Sequence, residues 1–171
     1  MKQLLIMRHG KSNANKPGQE DIKRTLSPKG HDVILGMANW MLSHSFLPEI
    51  VLVSKAQRTI ETWQLIKNVI GKEAIIHSQQ ALYLAGPGEI LTQLSKINNN
   101  HKTVLIIGHN PGLNILAQSL TGCGSNITAV KNLQKGFPTA AMAIFQLKGN
   151  SWQNLASDNT ELVTFISPSE L

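Results

Sequence analysis

Short apolar runs alternate with longer amphipathic stretches along the chain. Leu4-Leu5-Ile6-Met7 reads as a first strand, ended by Arg8. Ile50-Val51-Leu52-Val53 follows Pro48 as a second, and Ala74-Ile75-Ile76 makes a short third. Val104-Leu105-Ile106-Ile107 carries no polar side chain, as expected of a strand buried on both faces. Between these runs the periodicity changes. Ser27-Pro28 pairs an N-cap hydroxyl with a proline suited to a first helical turn, and Val33, Leu35, Met37, Trp40, Met41 and Leu42 follow as an apolar side. A helix is predicted from about Gln57 to Ile70, with Ile60, Trp63, Leu65, Ile66 and Val69 inward. Another opens at Pro87 with Ile90, Leu91, Leu94 and Ile97, and another at Asn110-Pro111, running to about Leu120. Ala140–Leu147 and Leu162–Ile166 are two further strand candidates.

Strands alternating with helices predict βαβ units, hence a three-layer α/β/α sandwich with a mainly parallel central sheet. The pattern leaves strand order open. With 171 residues and no repeat or low-complexity linker, the chain reads as one domain, residues 1–171. Residues 9–26 are polar and rich in Asn, Lys and Gly, a loop long enough to imply a functional reason.

Composition adds limits. Apolar residues make up 42% and charged residues 15%, which excludes a disordered chain. The single cysteine, Cys123, cannot form an internal disulfide and reads as a small residue in a glycine-flanked turn. No apolar run reaches the roughly 18 residues that span a bilayer, and the N-terminal apolar segment is too short for a signal peptide. A cytoplasmic protein with no membrane partner is expected. The formal charge of +6 favours anionic ligands, but the basic residues are scattered. Aromatic residues amount to 5%, too few for a base-stacking platform, so nucleic acid is not expected as a partner.

The chemistry gathers at three strand ends: Arg8-His9-Gly10-Lys11-Ser12, Ser54-Lys55-Ala56-Gln57-Arg58, and Gly108-His109-Asn110-Pro111-Gly112. In open α/β sheets ligands bind at the carboxyl ends of strands, so two arginines and two histidines converge on one edge. That set suits phosphate. Arginine offers a planar fork of donors matching phosphoryl oxygens, and an unprotonated imidazole is a nucleophile capable of a covalent intermediate. Gly10 would let a phosphoryl group approach the backbone, and the helix after Asn110-Pro111 would point free N–H groups at an anion. His31, His44, His77 and His101 belong to no such pattern and are read as surface residues. No His/Cys/Asp/Glu spacing matches a metal site, so neither metal nor other cofactor is expected.

Leu5-Ile6-Met7-Arg8-His9-Gly10-Lys11-Ser12 resembles the signature of the histidine phosphatase superfamily, and the whole chain resembles its SixA-type phosphohistidine phosphatases. The likeness extends through Leu26–Gly30, Ser54–Thr62, Leu82–Pro87, Gly108–Leu113, Phe137–Ala141 and the ending Leu162–Leu171. It implies a phosphoglycerate mutase-like fold, with His9 as the phosphorylated nucleophile and Arg8, Arg58 and His109 completing the phosphate pocket. Ser12 and Asn110 are assigned supporting contacts to phosphate. The implied substrate is a phosphohistidine, on a partner such as a histidine phosphotransfer protein.

One departure bears on the leaving group. SixA-type members often carry an acidic residue just before the Leu-Tyr-Leu segment, and here Ser78-Gln79-Gln80-Ala81 has none. General acid catalysis is worth about 10²–10⁴-fold, most for a poor alkoxide leaving group. An imidazole, with an unperturbed pKa near 6.5, needs far less help. The missing acid therefore favours a P–N bond, unless Glu20, Asp21 or Glu89 folds over the site. A broad-specificity phosphomonoesterase for small metabolites and a non-catalytic phosphate-binding adaptor are the alternatives. The sequence assigns no oligomeric state.

Overall fold

The computed structural model describes residues 1–71 and 73–171. Six strands form one sheet: β1 (Lys2–Arg8), β2 (Ile50–Ser54), β3 (Ile75–Gln79), β4 (Thr103–Gly108), β5 (Met142–Leu147) and β6 (Thr160–Ile166). Their order is β3-β2-β4-β1-β5-β6. The pairs β3–β2, β2–β4 and β4–β1 are parallel, whereas β5 runs antiparallel to β1 and to β6. The sheet is thus mostly parallel, with an antiparallel margin built from the C-terminal segment.

Alternation along β1 separates the two cores. Leu4 and Ile6 face one side with α3 (Pro87–Ser95), α4 (Gly112–Ser119) and α5 (Ile127–Gln134), through Ile90, Leu94, Leu113, Leu116 and Leu133. Leu5 and Met7 face the other with α1 (Pro28–Ser43) and α2 (Gln57–Ile70), through Ile34, Met37, Met41, Trp63 and Ile66. This is the three-layer sandwich. β1 and β4 sit at its centre, and each fully buried Leu or Ile there contributes roughly 1.5–3 kcal/mol by removal from water.

Several boundaries differ from the sequence expectation. In α1 the inward stripe is Ile34, Met37, Ala38 and Met41, at i, i+3, i+4 and i+7, while Leu35 and Leu42 lie on the exposed side. β3 continues to Gln79 as an edge strand with Ile75 and Ile76 exposed. α4 begins at Gly112 rather than Asn110, and β5 begins at Met142, leaving Ala140 outside the strand. α5 was not foreseen: Asn126 caps it by accepting from Ala129 N–H, and of its residues only Ala129 and Leu133 are buried.

Candidate active site

β1, β2 and β4 end side by side, and the residues that follow them meet. Arg8 ends β1 and His9 comes next, Arg58 lies in the first turn of α2 just after β2, and His109 follows β4. Together with Lys11, Ser12, Asp21, Arg24, Leu84, Asn110 and Thr139 they line a cavity of about 510 Å³. All six residues singled out from the sequence face this space.

The backbone that carries His9 is fixed from both sides. Ala140 N–H donates to the carbonyls of Arg8 (3.1 Å) and His9 (3.0 Å). Ala140 does so at φ 64, a left-handed conformation unusual for a residue with a side chain. On the other side Gly10 N–H donates to Thr62 Oγ1 at 3.1 Å, and Thr62 in turn donates to the Arg58 carbonyl at 2.7 Å. The absent side chain of Gly10 does not open room for phosphate. A Cβ there would lie 2.8 Å from Ile34 Cγ1 and 3.1 Å from Leu26 Cδ2, so glycine is needed for packing against α1.

The hydrogen-bond network sets the tautomers. Nδ1 of His9 is 2.7 Å from the Gly10 carbonyl, which can only accept, so Nδ1 carries the hydrogen and Nε2 the lone pair. That lone pair accepts from Arg58 Nε–H at 3.3 Å. Burial first, then the charges of Arg58, Arg8 and Arg24, lower the His9 pKa to about 4 against the favourable bond to Gly10. His109 receives Arg58 Nη2–H at Nδ1 (3.4 Å) and donates Nε2–H to Ser54 Oγ at 2.8 Å. Burial, then His9 and Arg58, lower its pKa to about 3. The two rings lie 5.2 Å apart, both neutral at physiological pH.

Arg58 is buried yet uses all three nitrogens. Besides His9 and His109 it donates Nη1–H to the Asp21 carbonyl (2.8 Å) and Nη2–H to Asp21 Oδ2 (3.0 Å). Asp21 belongs to the 9–26 loop, whose 3-10 turn Asp21–Lys23 reaches the edge of the cavity. Its carboxylate also accepts from Tyr83 Oη (2.7 Å) and from Arg24 Nη1 (2.9 Å). Tyr83 and Arg24, followed by Arg58, hold this carboxyl well below the usual range. Ser12 Oγ accepts from Arg24 Nη2 at 2.8 Å, so Ser12 is tied to the same group. Arg8 Nη1 and Asn110 Nδ2 both donate to the Phe137 carbonyl, at 3.1 and 2.8 Å. Arg8 Nε and Asn110 Oδ1 are buried without a protein partner.

Sequence reasoning missed Ser54, Arg24, Tyr83 and Thr62, and treated Asp21 only as a proton source. Ser54 is the last residue of β2 and Thr62 lies four residues after Arg58, on the same side of α2, and that spacing was the available signal. Arg24 and Asp21 sit in an irregular loop where spacing says nothing about contacts. Of the other acids, Glu20 pairs with exposed Lys23, and Glu89 accepts from Gln93 within α3. Among the described residues no cluster of three His, Cys, Asp or Glu could hold a metal, and no helix is long and apolar enough to cross a membrane.

A neutral imidazole flanked by two arginines at the carboxyl edge of this sheet defines a phosphatase of the histidine phosphatase class. The comparisons agree. Residues 4–80 match the model of the histidine phosphatase superfamily (branch 1). An uncharacterized protein of Mycobacterium leprae is 32% identical over 165 residues, 95% of this chain and 99% of that one. A solved structure assigned as the phosphohistidine phosphatase SixA of Nakamurella multipartitia superposes with TM-score 0.84 at 25% identity, covering 98% and 96% of the two chains. The protein histidine phosphatase SixA complexed with tungstate gives TM-score 0.79 at 25% identity, covering 98% of each. A mycobacterial glucosyl-3-phosphoglycerate phosphatase shares the fold at TM-score 0.62 and 14% identity, covering 97% of this chain and 99% of that one. The chain belongs to the histidine phosphatase superfamily, and it is SixA-like in sequence signature and structure.

Proposed function

We propose that the protein removes phosphate from phosphohistidine on a protein partner, such as a histidine phosphotransfer protein, with His9 as nucleophile. The observation that carries this reading is the state of His9 Nε2: unprotonated, facing a cationic cavity, and held by its Nδ1–H bond to Gly10. The incoming phosphoryl group displaces the Arg58 Nε–H contact and takes the lone pair. Nε2 bonds to phosphorus as the bond from phosphorus to the partner's imidazole breaks, and the departing ring accepts a proton from solvent. Water then attacks phosphorus, phosphate leaves, and the electron pair returns to Nε2.

Arg8 and Arg58 neutralise the equatorial oxygens, which is most of what a protein contributes to phosphoryl transfer. Among its protein neighbours His109 is neutral, and a phosphoryl dianion supplies the attraction that favours its protonated form, donating at Nδ1. Arg8 Nε, without a protein partner, is ready to donate to a phosphoryl oxygen, whereas Asn110 Oδ1 can only accept and suits a water or a donor group of the substrate, and Ser12 acts through Arg24.

Leaving-group chemistry favours the P–N bond. Asp21 is the one carboxylate among the described residues lining the cavity, and Tyr83, Arg24 and Arg58 hold it ionised. An ester alkoxide would find no acid there, at a cost of about 10²–10⁴ in rate. A small-metabolite phosphomonoesterase would need Asp21 protonated against three donors. The test is turnover of a phosphohistidine-bearing protein against a phosphoserine peptide. A preference above about 100-fold is expected, and comparable rates would remove the leaving-group argument. Rapid-quench detection of an acid-labile phosphate on His9 separates the enzyme from a non-catalytic adaptor, which would show none.

A further inference from the structure

Leu84 stands at the lip of the catalytic cavity, 56% exposed. An exposed leucine alone is ordinary. This one is also held at φ 50, a left-handed conformation in which a bulky side chain crowds its own backbone. Strain of that kind persists only where the surroundings over-determine it, and here they do. On one side Tyr83 is anchored by its hydroxyl on Asp21 (2.7 Å) and by its ring set edge-on to His109, centroids 5.6 Å apart. On the other, Ala85 presses on α4 so closely that a Cβ on Gly112 would fall 1.9 Å from the Ala85 carbonyl oxygen. The chain is therefore clamped on both sides of Leu84, and the clamp turns an apolar side chain outward beside an otherwise polar and cationic opening.

A small phosphate-bearing metabolite seated on His9 would cover at most the part of that side chain that lines the cavity and leave its outward part in water. A protein surface brought up to place its phosphohistidine against His9 would cover it. We infer that Leu84 is a specificity-determining contact for the phosphorylated partner protein, touching an apolar patch beside the phosphohistidine. This rests on the function proposed above. The partner surface it fits is apolar next to the modified histidine, with Lys11 and Arg24 of the cavity wall favouring acidic groups beyond.

The test compares kcat/KM for phosphorylated histidine phosphotransfer domains with kcat/KM for free phosphohistidine, in wild type, Leu84→Gly and Leu84→Met. Burying the exposed part of a leucine corresponds to about 10-fold in affinity. Leu84→Gly is expected to lower the protein-to-free ratio about 10-fold, chiefly through KM, with a Tm no lower than wild type because glycine adopts this φ freely. Leu84→Met is expected to restore most of the ratio. An unchanged ratio in Leu84→Gly overturns the inference, as does a lowered Tm with both substrates falling together, which marks a structural residue. Wild type that hydrolyses free phosphohistidine no worse than the proteins also overturns it while leaving the reaction intact. Turnover of neither substrate refutes the reading on which it rests.

Discussion

Arg58 Nη2 lies 3.0 Å from Oδ2 of Asp21, so the arginine proposed for phosphate also holds a carboxylate. An oxyanion entering the cavity meets both the attraction of Arg58 and the repulsion of Asp21. The Asp21 side chain is 38% exposed, which screens the pair. Asp21→Asn should therefore bind tungstate about 5-fold more tightly, a gain on the order of 1 kcal/mol. Isothermal titration would measure it. Equal or weaker binding would mean that Asp21 serves mainly to orient Arg58 and Arg24.

The two buried imidazoles make stability depend on pH in a definite direction. Both folded pKa values lie below the ordinary 6.5, at about 4 for His9 and about 3 for His109. Between roughly pH 6.5 and pH 4 the unfolded chain binds protons that the folded chain refuses, so stability falls as pH falls through that window. For His9 alone the loss at pH 5 is about 2 kcal/mol. Asp21, held low in the fold, adds a loss of the same sign at lower pH still. Urea denaturation of wild type and His9→Ala across pH 5–8 should show a flatter profile in the variant, and parallel curves would contradict the assigned protonation states.

The same values set the expected rate profile. A catalytic role for His109 as imidazolium in the free enzyme is incompatible with a pKa of about 3. The acid limb of kcat/KM should consequently fall near pH 4, where the His9 nucleophile is lost, rather than near pH 6.5. A limb at pH 6–7 that remains once the substrate's own phosphoryl ionisation is accounted for would show that the free-enzyme imidazoles are solvated.

Arg58→Lys should cost nearly as much as Arg58→Ala, about 10²–10³ in kcat. Arg58 reaches His9 through Nε, His109 and the Asp21 carboxylate through Nη2 and the Asp21 carbonyl through Nη1, and one ammonium group cannot span them. Single-turnover kinetics on both variants would decide. A lysine variant within 10-fold of wild type would show that charge alone suffices.

How much of this was readable beforehand follows from where the information resides. The strands β1, β2 and β4 are apolar on both faces, so their runs and the polar residues ending them were plain, and Arg8, His9, Arg58 and His109 came with them. The phase of α1 was not, because Leu35 and Leu42 are as apolar as Ile34 and Met41 and only the sheet decides which side is inward. α5 buries just Ala129 and Leu133, too few positions to define a period. The Asp21–Arg24–Arg58–Tyr83 cluster joins three distant segments through side-chain geometry, to which spacing along the chain is blind. Strand order lay beyond the pattern for the same reason.

Two glycines of α1 should respond oppositely to alanine. Alanine is favoured over glycine by about 1 kcal/mol in a helix interior, all else equal. At Gly36 the added methyl would approach only Leu171 Cδ1, at 3.3 Å, on an exposed side chain free to move aside. Gly36→Ala should thus stabilise by about 0.5–1 kcal/mol and leave activity alone. At Gly30 the methyl would lie 2.1 Å from the Lys11 carbonyl oxygen and 3.1 Å from the Lys11 backbone N and C. That carbonyl also accepts Ser27 N–H at 2.8 Å and Ser27 Oγ–H at 3.0 Å, so it cannot withdraw without losing both bonds from the N-cap residue of α1. Gly30→Ala should cost about 1–3 kcal/mol as an overpacked contact. Because Lys11 is two residues from His9, turnover should drop as well. Thermal melts and initial rates on the two variants would check both signs, and a Gly30→Ala protein as stable and active as Gly36→Ala would refute the close packing of α1 on the nucleophile loop.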